Sequence, residues 1–273
     1  NDPTPYHHLV LAVEALRDAG PTRVEAKVAT EIQNRLKGKL ESERPVWSKM
    51  FGRLTAKSWI EERGKVIEAL ARSGSGYWTM LHGEPEWINI PAGEFWMGEE
   101  SEVHRVFVPE FKIARVPITN AQYLLYVQAT GATPPSHWKD GQIPRGKASH
   151  PVTYVSWGDA QKYCAWLGQN LQGLQDLEGL QVRLPTEAEW EKAARGDKDK
   201  REYPWGDEFD SAKCNTRELG LGDTSPVGVF PNGASLYGCL DMIGNVWEWT
   251  NSKKEKYPYK NDQREDGKGN SLV

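Results

Sequence analysis

Cysteine is scarce in this chain. Its 273 residues hold three, Cys164, Cys214 and Cys239. They are widely spaced and form no Cys-x-x-Cys pair, so neither a disulfide-stapled scaffold nor a thiol metal knuckle is expected, and buried free thiols fit better. Long apolar runs are also missing. No window approaches the roughly 18 to 20 apolar residues that span a bilayer, and the first residues lack the basic region, apolar core and cleavage site of a secretory leader. A soluble, cytoplasmic protein with no membrane partner is expected. Nor is there an excess of positive charge: 34 Lys and Arg against 38 Asp and Glu give a net charge of −4. Because the two signs are interspersed there is no basic face for a phosphate backbone, and nucleic acid is not an expected partner. The Gly-x-x-x-x-Gly-Lys-Ser/Thr loop is absent, so no ATPase of that kind resides in these residues. His7 and His8 are neighbours, which on a helix point about 100° apart and do not grip one metal from the same face.

What remains is ordinary for a globular chain, with 38% apolar and 26% charged residues, and its length allows one large or two modest domains. The outlier is tryptophan, at twelve. The indole fills the core of a fold with little regular structure while asking for one hydrogen-bond partner. The same enrichment also suits a carbohydrate or aromatic-ligand surface.

Residues 1–83 read as helical. Val24, Val28, Ile32, Leu36 and Leu40 recur every four residues along one stripe, with Pro21 at the start. Leu9, Val13 and Leu16 mark an earlier helix stopped by Gly20. Ile60, Val66, Ile67 and Leu70 mark a later one, started or interrupted near Gly64 and ended by the Ser-Gly-Ser-Gly run at 73–76. From residue 84 to 273 the texture changes to short strands, turns and few helices. Thr119 suits an N-cap for a helix carrying Tyr123, Leu124 and Val127. Thr186 with Glu189 has the capping-box spacing, followed by Trp190, Ala193 and Ala194, and Ser156 suits the cap of a helix from Trp157 to Leu167.

Residues 233–250, Gly-Ala-Ser-Leu-Tyr-Gly-Cys-Leu-Asp-Met-Ile-Gly-Asn-Val-Trp-Glu-Trp-Thr, carry the most information. The alternation from Val246 to Thr250 predicts a short strand with Trp247 and Trp249 on one face and Glu248 on the other. Gly244 suits a positive φ that turns carbonyls inward. A glutamate, an aspartate and free carbonyls are the hard oxygen donors calcium prefers. The same residues also suit a solvated carboxylate on an edge strand.

With the segments Ile90-Pro-Ala-Gly-Glu-Phe-Trp-Met-Gly98, Ile113-Ala-Arg-Val-Pro-Ile-Thr-Asn-Ala-Gln-Tyr123, Pro151-Val-Thr-Tyr-Val-Ser-Trp157, Val182-Arg-Leu-Pro-Thr-Glu-Ala-Glu-Trp-Glu-Lys-Ala-Ala-Arg195, Tyr203-Pro-Trp-Gly206, Cys214-Asn-Thr216 and Thr224-Ser-Pro-Val-Gly228, this stretch makes eight blocks. In that order they resemble the formylglycine-generating enzyme, or sulfatase-modifying-factor, family. The resemblance implies an α+β domain of C-type lectin-like fold over residues 84–273, with its C-terminal part beyond Val273. Because Trp157, Trp190, Trp205, Trp247 and Trp249 lie in these framework blocks, core filling is the favoured role for them.

The resemblance also implies a chemistry to look for. Formylglycine-generating enzymes oxidise a cysteine of a client sulfatase with copper held by two thiolates, soft ligands that favour Cu(I). In the family that pair follows the block ending in Trp249, beyond an Arg-Gly-Gly-Ser segment, and none of the three cysteines here matches it. Nor do the dispersed His82, His104, His137 and His150 carry the three-histidine motif of the related iron-dependent sulfoxide synthases. No catalytic residue and no organic cofactor are expected. The family's structural calcium carries over to Asp241 and Glu248 by side chain and to Gly244 and Val246 by carbonyl. A second site carries over to Asn215 by side chain and Thr216 by carbonyl, with Leu219 where an aspartate is expected and Glu218 as the substitute. A non-catalytic module that binds a protein or small-molecule ligand is the reading, similar to the variable proteins of bacterial diversity-generating retroelements, with residues 251–270 near the ligand surface. A fragment of a copper-dependent oxidase is the alternative. The helices resemble those preceding such domains in NACHT-type signalling ATPases, which implies a sensor arm.

Overall fold

The computed structural model describes residues 31, 34, 60, 61, 64, 67, 84–170, 181–260 and 262–265. Most of the expected helical segment 1–83 lies outside the described residues. Glu31, Asn34, Ile60, Glu61, Gly64 and Ile67 are helical. None of the described helices is long and apolar enough to cross a membrane.

Among the described residues four strands form two separate antiparallel ribbons: β1 (Trp87–Ile90) with β4 (Phe111–Ala114), and β2 (Gly93–Met97) with β3 (His104–Val108). In β2 and β3 the period of two sorts the side chains. Phe95, Met97 and Val108 are buried together with Ala188. On the other face Arg105 pairs with Glu94 at 3.0 Å, and Arg105 and Lys200 both stand over the Trp96 ring.

Among the described residues three α-helices follow, each begun by a capping side chain. α1 (Asn120–Thr130) opens on Thr119, whose hydroxyl accepts from Gln122 N while the Gln122 side chain accepts from Thr119 N, and it ends at Gly131 in the left-handed region. α2 (Trp157–Asn170) runs three residues past the expected end; Ser156 Oγ accepts from Asp159 N and donates to the Asp159 carboxylate. α3 (Glu187–Arg195) opens on Thr186 with Glu189 closing the box. Such caps satisfy amide groups that a helix start leaves unpaired, and each contributes about 1 kcal/mol.

The core is aromatic because the regular elements are few. Tyr123, Tyr126, Trp138, Tyr163 and Leu167 pack α1 against α2. Ile90, Ala193, Ala194, Cys239 and Met242 join β1, α3 and the segment that follows. Two charged groups on α3 are structural. Arg183 grips both oxygens of Glu189 at 2.7 Å. Lys192 is fully buried and donates to the carbonyls of Pro91 and Gly93, tying α3 to the turn between β1 and β2. Burial lowers the Lys192 pKa.

Candidate functional site

Residues 241–250 form no strand, contrary to the alternation of their side chains. Asp241, Gly244 and Asn245 all have positive φ, at 58°, 77° and 63°, and Val246 N donates back to Gly244 O at 2.8 Å. Such backbone curls instead of extending. The tryptophans therefore part company. Trp249 is half-buried with its indole N–H on Val155 O, whereas Trp247 is 78% exposed and does not serve the core.

The curl is pinned to a distant segment. Asn215 and Gly244 form an isolated parallel bridge, and Asn245 N donates to Asn215 O at 2.8 Å. Around this junction the Asn245 Oδ1 accepts from Ser225 N and Asn215 Nδ2, and its Nδ2 donates to Ser225 O. Asn215 Nδ2 also donates to Asp223 O. The two candidate ligand groups, one at 215–216 and the other at 241–248, thus lie side by side. Asn245 and Ser225, absent from the expected sites, hold them together; their contacts span 20 residues and leave no local sequence pattern.

Asp241 is 8% exposed, and its Oδ2 accepts from Gly228 N at 2.6 Å. Burial pushes its carboxyl up to about 6, with the Gly228 bond opposing. Burial likewise pushes Glu248 up to about 7; the Trp190 indole draws it back in part, without closing a well-aligned hydrogen bond, and the charge of Asp241 adds to the rise. Among the described residues no basic side chain contributes to either shift. Two such carboxylates favour protons or a cation. In the second group, Thr216 O accepts from Leu219 N, Leu219 is buried, and Glu218 is exposed. Among the described residues no three His, Cys, Asp or Glu side chains converge on one point, so carbonyls and amide oxygens must supply the rest of any cation shell.

Beside Val246 and Glu248 opens a cavity of about 880 Å³, walled by Phe111, Ile113, Cys164, Trp190, Trp247 and Trp249 among others. Pockets of this size hold small ligands. The thiols do not form a pair anywhere among the described residues. Cys164 faces this cavity with its pKa pushed up by burial to about 12. Cys214 approaches Asp210 O and Cys239 packs in the core against α3, each pushed by burial to about 11. The described histidines are equally separate. His104 Nε2 accepts from Tyr259 N, His137 stacks near Tyr154, and His150 Nδ1 shares a hydrogen bond with Thr224 Oγ1.

Residues 79–272 match the model of the sulfatase-modifying factor enzyme 1-like domain. The chain belongs to that family. Among relatives of this sulfatase-modifying-factor chain is the formylglycine-generating enzyme of Mycobacterium tuberculosis, 32% identical over 64% of this chain and 75% of that protein. The serine/threonine-protein kinase Pkn1 of Chlamydia trachomatis is 36% identical over 60% of this chain, which spans 27% of the kinase. Among solved structures, Treponema denticola variable protein 1 has the same fold, with a TM-score of 0.50 over 63% of this chain and 74% of that one at 22% identity. The fold is therefore α+β and C-type lectin-like, as the eight blocks imply.

Proposed function

We propose that this sulfatase-modifying-factor domain is a non-catalytic ligand-binding module, of the kind represented by variable proteins of diversity-generating retroelements or by the sensor arm of a signalling protein. The observation that carries the reading is the cavity of about 880 Å³ beside Val246 and Glu248, in a fold shared with Treponema denticola variable protein 1. Cu(I) oxidase chemistry needs two sulfurs converging on one point as thiolates, and Cys164, Cys214 and Cys239 occupy three separate environments and do not themselves make such a pair. The alternative, an oxidase fragment acting on sulfatase cysteines, is favoured by the formylglycine-generating relatives.

The ligand seat in this reading is the cavity beside Val246 and Glu248, with Trp247 at its edge. An exposed indole adds little to stability and much to binding, since large aromatics anchor interfaces. Trp247→Ala is expected to change unfolding free energy by less than about 0.5 kcal/mol. It should also weaken binding of the apolar dye 8-anilinonaphthalene-1-sulfonate about tenfold. Unchanged dye affinity in the variant would remove this cavity from the account.

Calcium fits the neighbouring residues. Asp241 and Glu248 by side chain and Gly244 and Val246 by carbonyl would hold it, and the donor set is all oxygen. Its role is structural: it supplies the positive charge that no described side chain brings to these two carboxylates. The group at Asn215 and Thr216, with Glu218 exposed and Leu219 buried, offers fewer anionic donors and is the weaker of the two. The module itself is read as residues 84–273 joined to a helical segment, acting in the cytoplasm on a protein or small-molecule ligand.

A further inference from the structure

Among the described residues, Gly64 brings the N-terminal segment against Pro226, in the loop that borders this site. A Cβ at Gly64 would stand 2.8 Å from Pro226 Cγ, so only glycine allows the helical backbone to approach that ring. Ile60 and Ile67, spaced to share the face of Gly64, are both fully buried. Glu61, on the other side, is exposed. Pro226 in turn lies in a loop whose members bond to the candidate cation site one after another. Asp223 O accepts from Asn215 Nδ2, Ser225 N and O both bond to the Asn245 amide, and Gly228 N donates to Asp241 Oδ2. Pro226 itself is buried and Val227 is fully so, with Val227 N anchored on Ser149 O. The loop therefore has little freedom to move at one end without moving at the other.

We propose that seating of the helix carrying Ile60, Gly64 and Ile67 on Pro226 is coupled to occupation of the Asp241 and Glu248 site by calcium. The proposal rests on the calcium reading given above. A cation that draws Asp241 and Glu248 toward itself sets the position of Gly228 and, through Asn245, of Ser225, the two residues on either side of the Pro226 contact. The helix reads that position because its glycine face tolerates no slack. Linkage makes the coupling reciprocal: whatever factor calcium adds to helix seating, helix seating adds to calcium affinity. The N-terminal segment thereby becomes an output of the lectin-like domain.

Two measurements on the whole chain test this. Amide hydrogen exchange at Ile60, Gly64 and Ile67 is followed with EGTA and with 2 mM calcium chloride (roughly; the concentration need only exceed Kd). Calcium affinity is then measured by calorimetry for the wild type and for Gly64→Leu, which lifts the helix off Pro226. Slower exchange with calcium, together with an affinity about fivefold or more weaker in Gly64→Leu, is the expected result. Calcium heats with unchanged exchange would overturn the coupling and leave the calcium site standing. Absence of any calcium heat would overturn both. If Gly64→Leu does not fold, the wild-type exchange comparison decides alone.

Discussion

Stripped of calcium, the protein is expected to become less stable as pH rises from 5 to 8, and calcium is expected to return the loss. The folded-state pKa values of Asp241 and Glu248, about 6 and about 7, lie above the ordinary values of 3.8 and 4.5. Between those limits the folded protein holds more protons than the unfolded chain. Stability is then whole below pH 4 and drains away as pH climbs through the folded-state values. The loss is on the order of 3 kcal/mol for the coupled pair, or roughly 5–10 °C in Tm for a domain of this size. Glu191 and Glu265, also raised by burial, act in the same direction, and His137, lowered by burial, acts against it. Calcium separates the site from these groups, because at a hundredfold excess over Kd it adds about 3 kcal/mol and does so only where the two carboxylates are ionised. Carboxylates lowered by their partners, such as Asp223 beside Lys147 and Asp159 beside Ser156, have already delivered their stability by pH 5. Thermal melts at pH 5 and 8, each with EGTA or calcium, check the expectation. Equal melting temperatures with and without calcium at pH 8 would mean the pair is not a cation site.

Gly244→Ala is expected to be the most damaging small substitution near the site. At φ +77° a side chain is already strained, and the added Cβ would meet the Asn215 carbonyl, with its carbon at 2.9 Å. That carbonyl is backbone, fixed by its bond from Asn245 N, so it cannot swing aside. The left-handed conformation costs about 1–2 kcal/mol for alanine, and the forced separation of the bridge brings the total to roughly 4 kcal/mol. Gly131→Ala is the internal comparison: its φ is +69° but nothing lies within 4 Å of an added Cβ. It should lose only the conformational part, about 1 kcal/mol. Urea unfolding of the two variants measures both. Similar losses would show that the bridge between 215 and 244 contributes nothing.

The family and its helix starts were legible in the chain because they are local. Thr119, Thr186 with Glu189, and Ser156 are signals read within a single helical turn, and each reappears as a cap. Residues 246–250 were not legible. Their alternation is that of a strand, but the backbone is decided by positive φ at Asp241, Gly244 and Asn245 and by bonds to residues 215 and 225. Periodicity sees neither. Trp247 illustrates the same limit: its place in a framework block argued for the core, and the curl of the loop turned it outward. The buried Lys192 was silent for another reason. A lysine on a helix reads as surface, and only the approach of two carbonyls from residues 91 and 93 gives its ammonium partners inside.

A binding module of this family has no cysteine-oxidising activity. The direct measurement is incubation of the native full-length protein with Cu(I), oxygen, a thiol reductant and a cysteine-containing sulfatase peptide, with mass spectrometry for conversion of the cysteine to an aldehyde. No conversion above the protein-free control is expected, with no difference between the wild type and Cys164→Ser. Copper-dependent catalytic turnover would contradict the binding-module account and make the chain part of an oxidase.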